Sequence, residues 1–353
     1  MAKVKLALLG CGDVAQRDYL PEFHRLSQEA SLVAVCGKRE ARATQVAKTY
    51  DIPAVYTDYA EMLADDTIEA VINLTPKQLH LETSLAVLRA GKHLYSEKPL
   101  GVTVEEAKRL QTEAEARNLI IISAPCVLLF PQVRYVKSLL EKGELGTIYS
   151  ARAHGHGGVP PWHGYPSDPS QFFSEGGGPV RDMGVYALHA LTGLLGSVRR
   201  VAAMSSRTQT SFTVLDGPVE GKEVKIGVDD NWHITLDFGN ACIASLEASN
   251  CVQATKSPQL ELYGHKGSVA LDLLDVSATI EVFTEGTWNQ VQLPLSGRQK
   301  GPDHHLGVEH LVHCIQGETP VLTSQHALHV IDVIDQAAVS VKNGGRQDVS
   351  VRL

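Results

Sequence analysis

Short apolar runs alternate with helical patterns through the first third of the chain. Each run has the length of a buried strand, and together they are Val4–Leu9, Leu32–Cys36, Ala54–Tyr56, Ala70–Leu74, His93–Ser96 and Leu119–Ser123. The first helical pattern begins at the glycine turn after Leu9 and continues to about Leu26. Such alternation is typical of a parallel sheet with helices on both faces. It predicts an α/β domain over residues 1–124.

After Pro125 the pattern changes to runs of β-forming residues that are separated by turns. We predict strands at residues 148–153, 198–208, 232–238, 241–248, 259–263, 268–273, 279–283 and 291–293, and helices at 306–315 and 324–342. Turns such as Gly239-Asn240 between alternating runs indicate antiparallel hairpins. Residues 125–353 are therefore predicted to form one α+β domain with a large, mostly antiparallel open sheet.

Composition excludes several classes of protein. The 353 residues suit two domains, and 43% are hydrophobic, as expected for packed domains. The formal net charge of −8 argues against a nucleic-acid partner, which rewards clustered Lys and Arg. No apolar run reaches the roughly 18 residues of a membrane span. The six cysteines are scattered without a Cys-x-x-Cys pair, so we expect reduced thiols and a cytoplasmic protein.

The turn after the first strand reads Gly10-Cys11-Gly12-Asp13-Val14-Ala15. This is the G-x-G-x-x-A form of the dinucleotide fingerprint, in the strand–turn–helix context that it requires. Gly10 permits the tight turn, and Gly12 has no Cβ that would keep a pyrophosphate away from the backbone. We therefore predict a Rossmann domain whose cofactor contacts include Gly10, Gly12, Asp13 and Val14.

The end of the second strand selects the cofactor. An acid at this point would bind the ribose hydroxyls of NAD, but the strand continues into Gly37, Lys38 and Arg39, with no acid before Glu40. Gly37 leaves space, and the two basic side chains can pair with a 2′-phosphate. We predict NADP as the cofactor in preference to NAD. The alternative is that these residues are solvated charges at the start of a helix.

Three further motifs suggest a family. Thr75-Pro76-Lys77-Gln78-Leu79-His80 follows one buried strand, and Glu97-Lys98-Pro99 follows the next. A glycine–aspartate motif spans residues 176–189 of the second region. Together with the glycine turn, these motifs resemble the Gfo/Idh/MocA oxidoreductases, and the resemblance covers essentially the whole chain.

The resemblance implies roles for the residues at these turns. The predicted cofactor contacts are Thr75, Pro76, His80, Glu97 and Lys98. An ammonium at Lys98, where strand ends meet a nicotinamide ring, can donate to a substrate oxygen. In the family the peptide bond of this Lys-Pro pair is often cis.

The second-region motif adds Asp182, Tyr186 and His189, which share one face of a regular helix. We predict catalytic roles for Lys98, Asp182 and Tyr186, with Lys98 and Tyr186 handling the proton and Asp182 orienting the substrate and keeping Lys98 charged. His189 is either a substrate contact or a hydrogen-bonded core histidine.

Three other segments bear on the ligand. The Pro-rich loop around Trp162, His163 and Tyr165 offers substrate contacts, or else is a rigid surface connection. The apolar stretch 124–131 stands where many members of the family have polar residues, and it favours a less polar or larger ligand than a free sugar. Four histidines occur in two close pairs, but we predict no metal, because acids to complete a ligand set are missing: His154, His156, His304 and His305.

We thus predict an NADP-dependent dehydrogenase or reductase acting on CH–OH groups. It would transfer hydride between nicotinamide and a hydroxyl or carbonyl carbon of a sugar, polyol or related compound. Two alternatives stay open, namely a redox-neutral glycosidase-like enzyme with a tightly bound nicotinamide cofactor and a non-catalytic cofactor-binding regulator. The resemblance to the family further implies that the protein forms a homodimer or homotetramer.

Overall fold

A computed structural model describes residues 2–295 and 297–353. The chain forms two compact units, the first made of Met1–Leu129 and Asp303–Ile331, and the second of Phe130–Pro302 and Asp332–Leu353. We expected a single boundary near Pro125 and all later residues in one domain. The structure differs in placing residues 303–331 with the first unit.

Close packing explains this placement. Gly307 lies so near Tyr95 of the first unit's sheet that a Cβ at residue 307 would come within 2.6 Å of Tyr95 Cε2. A side chain at this position would overlap the tyrosine ring, so the glycine permits the segment to pack on the sheet.

The first unit contains a six-stranded sheet in which every pairing is parallel. Its strands are β1 (Val4–Leu9), β2 (Ala30–Cys36), β3 (Ala54–Tyr56), β4 (Ala70–Asn73), β5 (His93–Ser96) and β6 (Ile121–Ser123), in the order β3-β2-β1-β4-β5-β6. Its helices are α1 (Glu40–Thr49), α2 (Tyr59–Leu63), α3 (His80–Arg89), α4 (Val104–Glu115) and, from the later segment, α7 (Leu306–Ile315). This strand order confirms the predicted Rossmann fold.

The helical region after the glycine turn is not the regular helix that we predicted. Ala15–Tyr19 is a π-helical turn and Leu20–Leu26 is a 3₁₀ helix. Pro21 explains the break, because proline lacks the N–H that a continuous α-helix needs at this position.

The second unit contains a nine-stranded sheet, as predicted open and mostly antiparallel. Its strands are β7 (Ile148–His156), β8 (Arg200–Ser206), β11 (Asn231–Gly239), β12 (Cys242–Ser249), β13 (Leu260–Gly264), β14 (Gly267–Leu271), β15 (Ile280–Thr284), β16 (Thr287–Val291) and β17 (Gln347–Asp348), in the order β16-β15-β14-β13-β7-β12-β11-β8-β17. Among the described pairings of this sheet, β12 with β7 is parallel and the others are antiparallel. Helices α5 (Pro131–Glu141) and α6 (Val185–Leu195) belong to this unit, and α8 (Ser324–Asn343) crosses the boundary.

Two strand predictions in this unit need correction. The strand expected at 291–293 is β16, which is earlier in the chain, and the two-stranded sheet of β9 (Ser211–Thr213) and β10 (Glu223–Lys225) was missed. Residues 287–290 are all exposed, so their sequence lacks the alternation of apolar residues that signals a strand. In the described part of the chain, no helix is long and apolar enough to cross a membrane.

Candidate active site

The glycine turn after β1 is tightly packed on one side and open on the other. Gly10 has a φ of +96°, and a Cβ there would lie 2.7 Å from the main-chain carbonyl of Leu74. Apart from atoms of Gly12 and its two chain neighbours, no heavy atom lies within 4 Å of the corresponding position at Gly12. Beside this open backbone, Asp13 accepts a hydrogen bond from Arg17 at 2.8 Å, and Val14 is 36% exposed. The turn therefore has room for a phosphate group at Gly12.

The end of β2 carries a small basic surface. Gly37 packs against Cys11 Sγ with no room for a Cβ, while the side chains of Lys38 and Arg39 are exposed. Arg42 on α1 lies close enough to Cys11 to lower the pKa of its thiol, which burial raises, and Arg39 lowers that pKa too. Arg42 was not among the predicted cofactor contacts, although it follows Arg39 by three residues and so lies one helical turn away.

This arrangement fits a dinucleotide cofactor. An open backbone at Gly12 matches the pyrophosphate, and the basic side chains of Lys38, Arg39 and Arg42 match a further anionic group. Within residues 2–295 and 297–353, none of these three side chains is seen to form an ion pair with a carboxylate.

The turn after β4 is held by a buried amide. Asn73 Oδ1 accepts hydrogen bonds from Thr75 N at 3.2 Å and from Thr75 Oγ1 at 2.8 Å. Asn73 Nδ2 donates to Thr83 Oγ1 at 2.8 Å and to Ser84 Oγ at 3.0 Å. Thr75 is thereby fixed at the carboxyl end of the strand and Pro76 follows it exposed. Asn73 was not among the predicted site residues, although it is a polar residue at the last position of a buried strand.

His80, at the start of α3, is buried with 1% of its surface exposed. Its Nδ1 lies 2.7 Å from the main-chain oxygen of Pro99, and its Nε2 lies 2.8 Å from that of Thr75. The imidazole thus bridges the turns that follow β4 and β5.

Glu97 is held inside the first unit by both of its carboxylate oxygens. Tyr19 donates to Oε1 at 2.5 Å, and the Lys98 main-chain N–H donates to Oε2 at 2.8 Å. Tyr95, whose hydroxyl lies 2.9 Å from that of Tyr19, completes the chain of hydrogen bonds. Burial, and then the charge of Glu97, hold the pKa of Tyr19 well above its usual value.

Lys98 is half-buried directly after this carboxylate, and the Lys98-Pro99 peptide bond is cis, as the resemblance led us to expect. Tyr19 belongs to no recognisable motif, and Tyr95 was not predicted as a site residue although it directly precedes Ser96 and Glu97 in the chain. The Glu97 network holds the main chain from which the Lys98 side chain extends.

In the second unit, the glycine–aspartate motif forms a π-helical turn, Val180–Gly184, followed by α6. Asp182 lies in this turn and is half-buried, whereas Tyr186 and His189 lie in α6 and are 9% and 5% exposed. We expected one regular helix through all three residues. The wider π turn changes the angular spacing, so the regular helical spacing applies only to Tyr186 and His189.

The loop proposed to contact substrate is packed on aromatic rings of the second unit. The Trp162 ring lies 5.2 Å from that of Phe173 and 5.5 Å from that of Tyr165. His163 is exposed over 79% of its side chain, with Nδ1 3.4 Å from Asp216 Oδ2. The apolar cluster beneath the loop contains Phe173, Phe212, Val214, Val224 and Ile226. Trp162 and Tyr165 therefore take part in packing, whereas His163 is accessible.

The apolar stretch 124–131 is mostly core. Cys126 and Val127 have no exposed surface, and Leu128 is partly exposed. Burial of these side chains accounts for their apolar character without a ligand.

The histidine pairs form no recognisable metal centre. The rings of His154 and His156 stack 4.3 Å apart, and His156 Nε2 lies 3.4 Å from Glu247 Oε1. In the other pair, burial and then Arg25 lower the pKa of His305 to about 3. Among the residues that the structure describes, no group of three or more His, Cys, Asp or Glu side chains is placed to hold a metal ion.

Comparison with protein families gives two matches. A family model described as "Oxidoreductase family, NAD-binding Rossmann fold" (GFO_IDH_MocA) matches residues 4–124. A second, described as the GFO/IDH/MocA C-terminal domain, matches residues 133–270. The predicted enzyme class, an NAD(P)-dependent dehydrogenase or reductase, is confirmed.

The chain is also similar to individual oxidoreductases. The trans-1,2-dihydrobenzene-1,2-diol dehydrogenase of Bos taurus is 26% identical over 324 residues, which cover 89% of each chain. The D-glucoside 3-dehydrogenase of Escherichia coli K12 is 29% identical over 253 residues, or 70% of each chain. The structure of an aldose-aldose oxidoreductase from Caulobacter crescentus, complexed with glycerol, superimposes with a TM-score of 0.83. It is 20% identical and covers 98% of this chain and 100% of that one, a likeness that shows the fold alone.

Proposed function

The chain belongs to the Gfo/Idh/MocA family of oxidoreductases, and from this premise we propose that it is an NADP-dependent dehydrogenase or reductase. The single observation that carries the choice of NADP is the basic surface after β2. Lys38 and Arg39 are exposed there, Arg42 is close by, and the strand ends without a carboxylate. A ribose 2′-phosphate supplies the dianion that such a surface favours.

The proposed substrate carries a secondary alcohol on a ring, next to a second hydroxyl group, or is the corresponding ketone. Two relatives support this class, since one is named for a cyclic trans-diol and the other for a glucoside oxidised at position 3. Sugars and cyclic polyols share the arrangement of adjacent ring hydroxyls. The proposal therefore covers sugars, polyols and related cyclic diols.

Residues of the chain would position the substrate and move its proton. Bound nicotinamide supplies the hydride chemistry. Lys98 donates a hydrogen bond to the reacting oxygen, and Tyr186 exchanges the proton with it. Asp182 orients the substrate and favours the charged form of Lys98. His163 and His189 remain candidates for substrate contact, together with the packed rings of Trp162 and Tyr165.

The other site residues would act on the cofactor. Gly10, Gly12, Asp13 and Val14 form the phosphate turn, while Thr75, Pro76 and Glu97 shape the region around the nicotinamide. We place the enzyme in the cytoplasm, because its six cysteines are scattered without a Cys-x-x-Cys pair. We further propose a homodimer or homotetramer, because members of the family commonly associate through the open sheet of the second domain.

A cofactor-reduction screen tests this function. The purified protein is incubated with NADP or NAD and with pyranoses, glycosides, cyclic polyols or trans-cyclic diols, and the absorbance of the reduced nicotinamide is followed. Keto forms with NADPH test the reverse direction. Reduction of NADP by a ring alcohol supports the proposal.

Three other outcomes contradict it. Equal turnover with NAD and NADP would remove the cofactor assignment. Cleavage of a glycoside without net change in absorbance, by protein that purifies with its cofactor, would indicate the redox-neutral alternative. Cofactor binding without turnover of any ring alcohol or ketone would favour a regulator.

A further inference from the structure

The imidazole of His80 is enclosed between two main-chain turns of the first unit. Its Nδ1 is 2.7 Å from Pro99 O and its Nε2 is 2.8 Å from Thr75 O. These oxygens follow β5 and β4, which are neighbours in the parallel sheet. The one ring therefore joins the turn that carries Thr75-Pro76 to the turn that carries Lys98-Pro99.

Both partners of the ring are carbonyl oxygens, which only accept hydrogen bonds. A neutral imidazole has a single N–H, so it can donate to one of the two oxygens while its other nitrogen directs a lone pair at the second. An imidazolium donates from both nitrogens. Distances of 2.7 and 2.8 Å lie within the range of charge-assisted hydrogen bonds and at the short end of the range for neutral N–H···O bonds.

We propose that His80 is an imidazolium that clamps the Thr75-Pro76 turn to the Lys98-Pro99 turn, and that it is a positioning residue for Lys98. The role of Lys98 rests on the proposed function, whereas the two protons on His80 do not. Since both nitrogens are occupied by the main chain, the ring acts behind the cofactor site and does not donate to the cofactor.

Two effects oppose a cation at this position. The ring is 1% exposed, and burial disfavours charge. His80 also begins α3, and the start of a helix disfavours a cation. Two charge-assisted hydrogen bonds act against both effects, because the neutral ring would leave a buried carbonyl oxygen facing a lone pair.

Two other histidines of the first unit, His93 and His310, serve as internal references for a neutral ring. His93 Nδ1 accepts the Ile120 N–H at 3.0 Å, and His310 Nε2 accepts the Val321 N–H at 2.8 Å. A nitrogen that accepts an N–H cannot carry its own proton. His93 and His310 must therefore be neutral, with one unprotonated nitrogen each.

NMR of the unchanged protein, labelled with ¹⁵N at histidine, tests the two protons directly. We expect both His80 nitrogens to be protonated at slightly alkaline pH, while His93 and His310 each show one unprotonated nitrogen. Correlation to the His80 main chain assigns the signals, and the His80→Gln spectrum checks them. An unprotonated His80 nitrogen under these conditions overturns the proposal, whether or not an enzymatic activity has been found.

A kinetic comparison tests the positioning role. Glutamine cannot donate from two separated nitrogens, so we expect kcat of His80→Gln to fall about 10- to 100-fold, the effect of losing one hydrogen bond to a charged group. The cofactor dissociation constant stays close to that of the unchanged protein. His24→Gln, which changes an exposed histidine of the same unit, leaves both quantities unchanged.

The opposite pattern contradicts the clamp. If His80→Gln weakens cofactor binding and leaves kcat at saturating cofactor unchanged, the ring contacts the cofactor and does not position Lys98. If neither protein turns over a ring alcohol, the proposed function fails, and the NMR experiment still decides the state of His80.

Discussion

The two compact units hold their candidate residues in different ways. In the first unit these residues follow strand ends, where the buried side chains of Asn73 and His80 and the half-buried side chain of Glu97 bind the main chain. In the second unit they lie on a helix that begins with a π turn and in a long loop. Strand order alone brings the ends of parallel strands together, whereas a loop must be fixed by distant partners.

Anchors of the second-unit loop show this dependence. Lys222 forms an ion pair with Asp168 across 54 positions of sequence, and the Gly164 N–H donates to Asp216 across 52. The side chains of Asp216 and Asp168 are 40% and 43% exposed. We therefore expect substitutions at strand ends to have larger effects than substitutions in this loop, and the following predictions test that ordering.

Removal of the ammonium at Lys98 is expected to have the largest effect. In Lys98→Met the hydrogen bond from the main-chain N–H to Glu97 at 2.8 Å remains, so the turn keeps its shape while the hydrogen-bond donor to the reacting oxygen is lost. We expect turnover to fall by about 10²–10⁴-fold, with little change in NADPH affinity. Steady-state kinetics and a fluorescence titration measure the two quantities.

Lys108→Met is the matched control, since Lys108 is an exposed lysine on α4 of the same unit. It is expected to leave turnover unchanged. Retained turnover in Lys98→Met would remove the proposed role and would break the contrast between strand ends and loop.

The second largest effect is expected when the positive charges at the end of β2 are removed. The double variant Lys38→Ala/Arg39→Ala loses two hydrogen-bond donors to a phosphate, so we expect the NADPH dissociation constant to rise about 10- to 100-fold. The NADH dissociation constant is expected to stay the same, because NADH lacks the 2′-phosphate. Arg109→Ala, an exposed charge on α4, is the control. Equal affinities of the unchanged protein for the two cofactors would contradict the assignment.

The two units also differ in how much of their fold could be predicted from the sequence. The six strands of the first unit were found because each is a short apolar run between helical patterns. Placement of α7 with this unit was not predictable, because it depends on the fit of Gly307 against Tyr95, far apart in sequence. Strands β9 and β10 have three residues each and, unlike the equally short β3 and β6, do not lie between helical patterns.

Candidate site residues could be proposed from the sequence only where a local motif contains them. Lys38 and Arg39 were predicted as cofactor contacts from their position after a strand, and Lys98 as a catalytic residue from its tripeptide. Tyr19 was not, since its hydrogen bonds to Tyr95 and Glu97 span 76 and 78 residues. Only the folded sheet brings such residues together, so sequence spacing carries no trace of them.

The next prediction concerns how the free energy of unfolding depends on pH through His305, a buried histidine of the first unit. Burial, followed by the charge of Arg25, lowers the pKa of His305 to about 3. The unfolded ring takes up a proton below about pH 6.5 while the folded ring does not, so this stabilisation is complete above 6.5 and is lost as pH falls toward 3. At about pH 5 the loss is roughly 2 kcal/mol.

His305→Phe removes this titration and keeps a ring beside Phe23, whose centroid lies 5.7 Å away. We expect its free energy of unfolding, from urea denaturation followed by circular dichroism, to fall less on acidification from neutral pH to about pH 5, by roughly 2 kcal/mol. His265→Gln, which changes an exposed ring of the second unit, serves as the control. An unchanged pH dependence in His305→Phe would show that the buried ring does not set it.

The smallest effect is expected at the loop anchor Asp168. A hydrogen bond from Lys222, at 2.5 Å, and then those from Ser170 hold the pKa of this carboxyl at about 2. The stabilisation is therefore present above about pH 3.8 and is lost as pH falls from there toward 2. Because the two charged side chains are 43% and 42% exposed, solvent screening limits the contribution to less than about 1 kcal/mol.

Asp168→Asn keeps a side-chain oxygen for the Ser170 N–H and removes the charge. Fluorescence-detected urea unfolding reports on this change, since all three tryptophans lie in the second unit. We expect a loss below about 1 kcal/mol at neutral pH that disappears in high salt, because an exposed ion pair is screened. A salt-insensitive loss as large as the effect at His305 would show that the position of the loop does not depend on a weak, exposed ion pair. A loss below about 1 kcal/mol would mean that exposed charges hold the loop only weakly. The loop could then adjust its aromatic rings to a ligand at little cost in free energy.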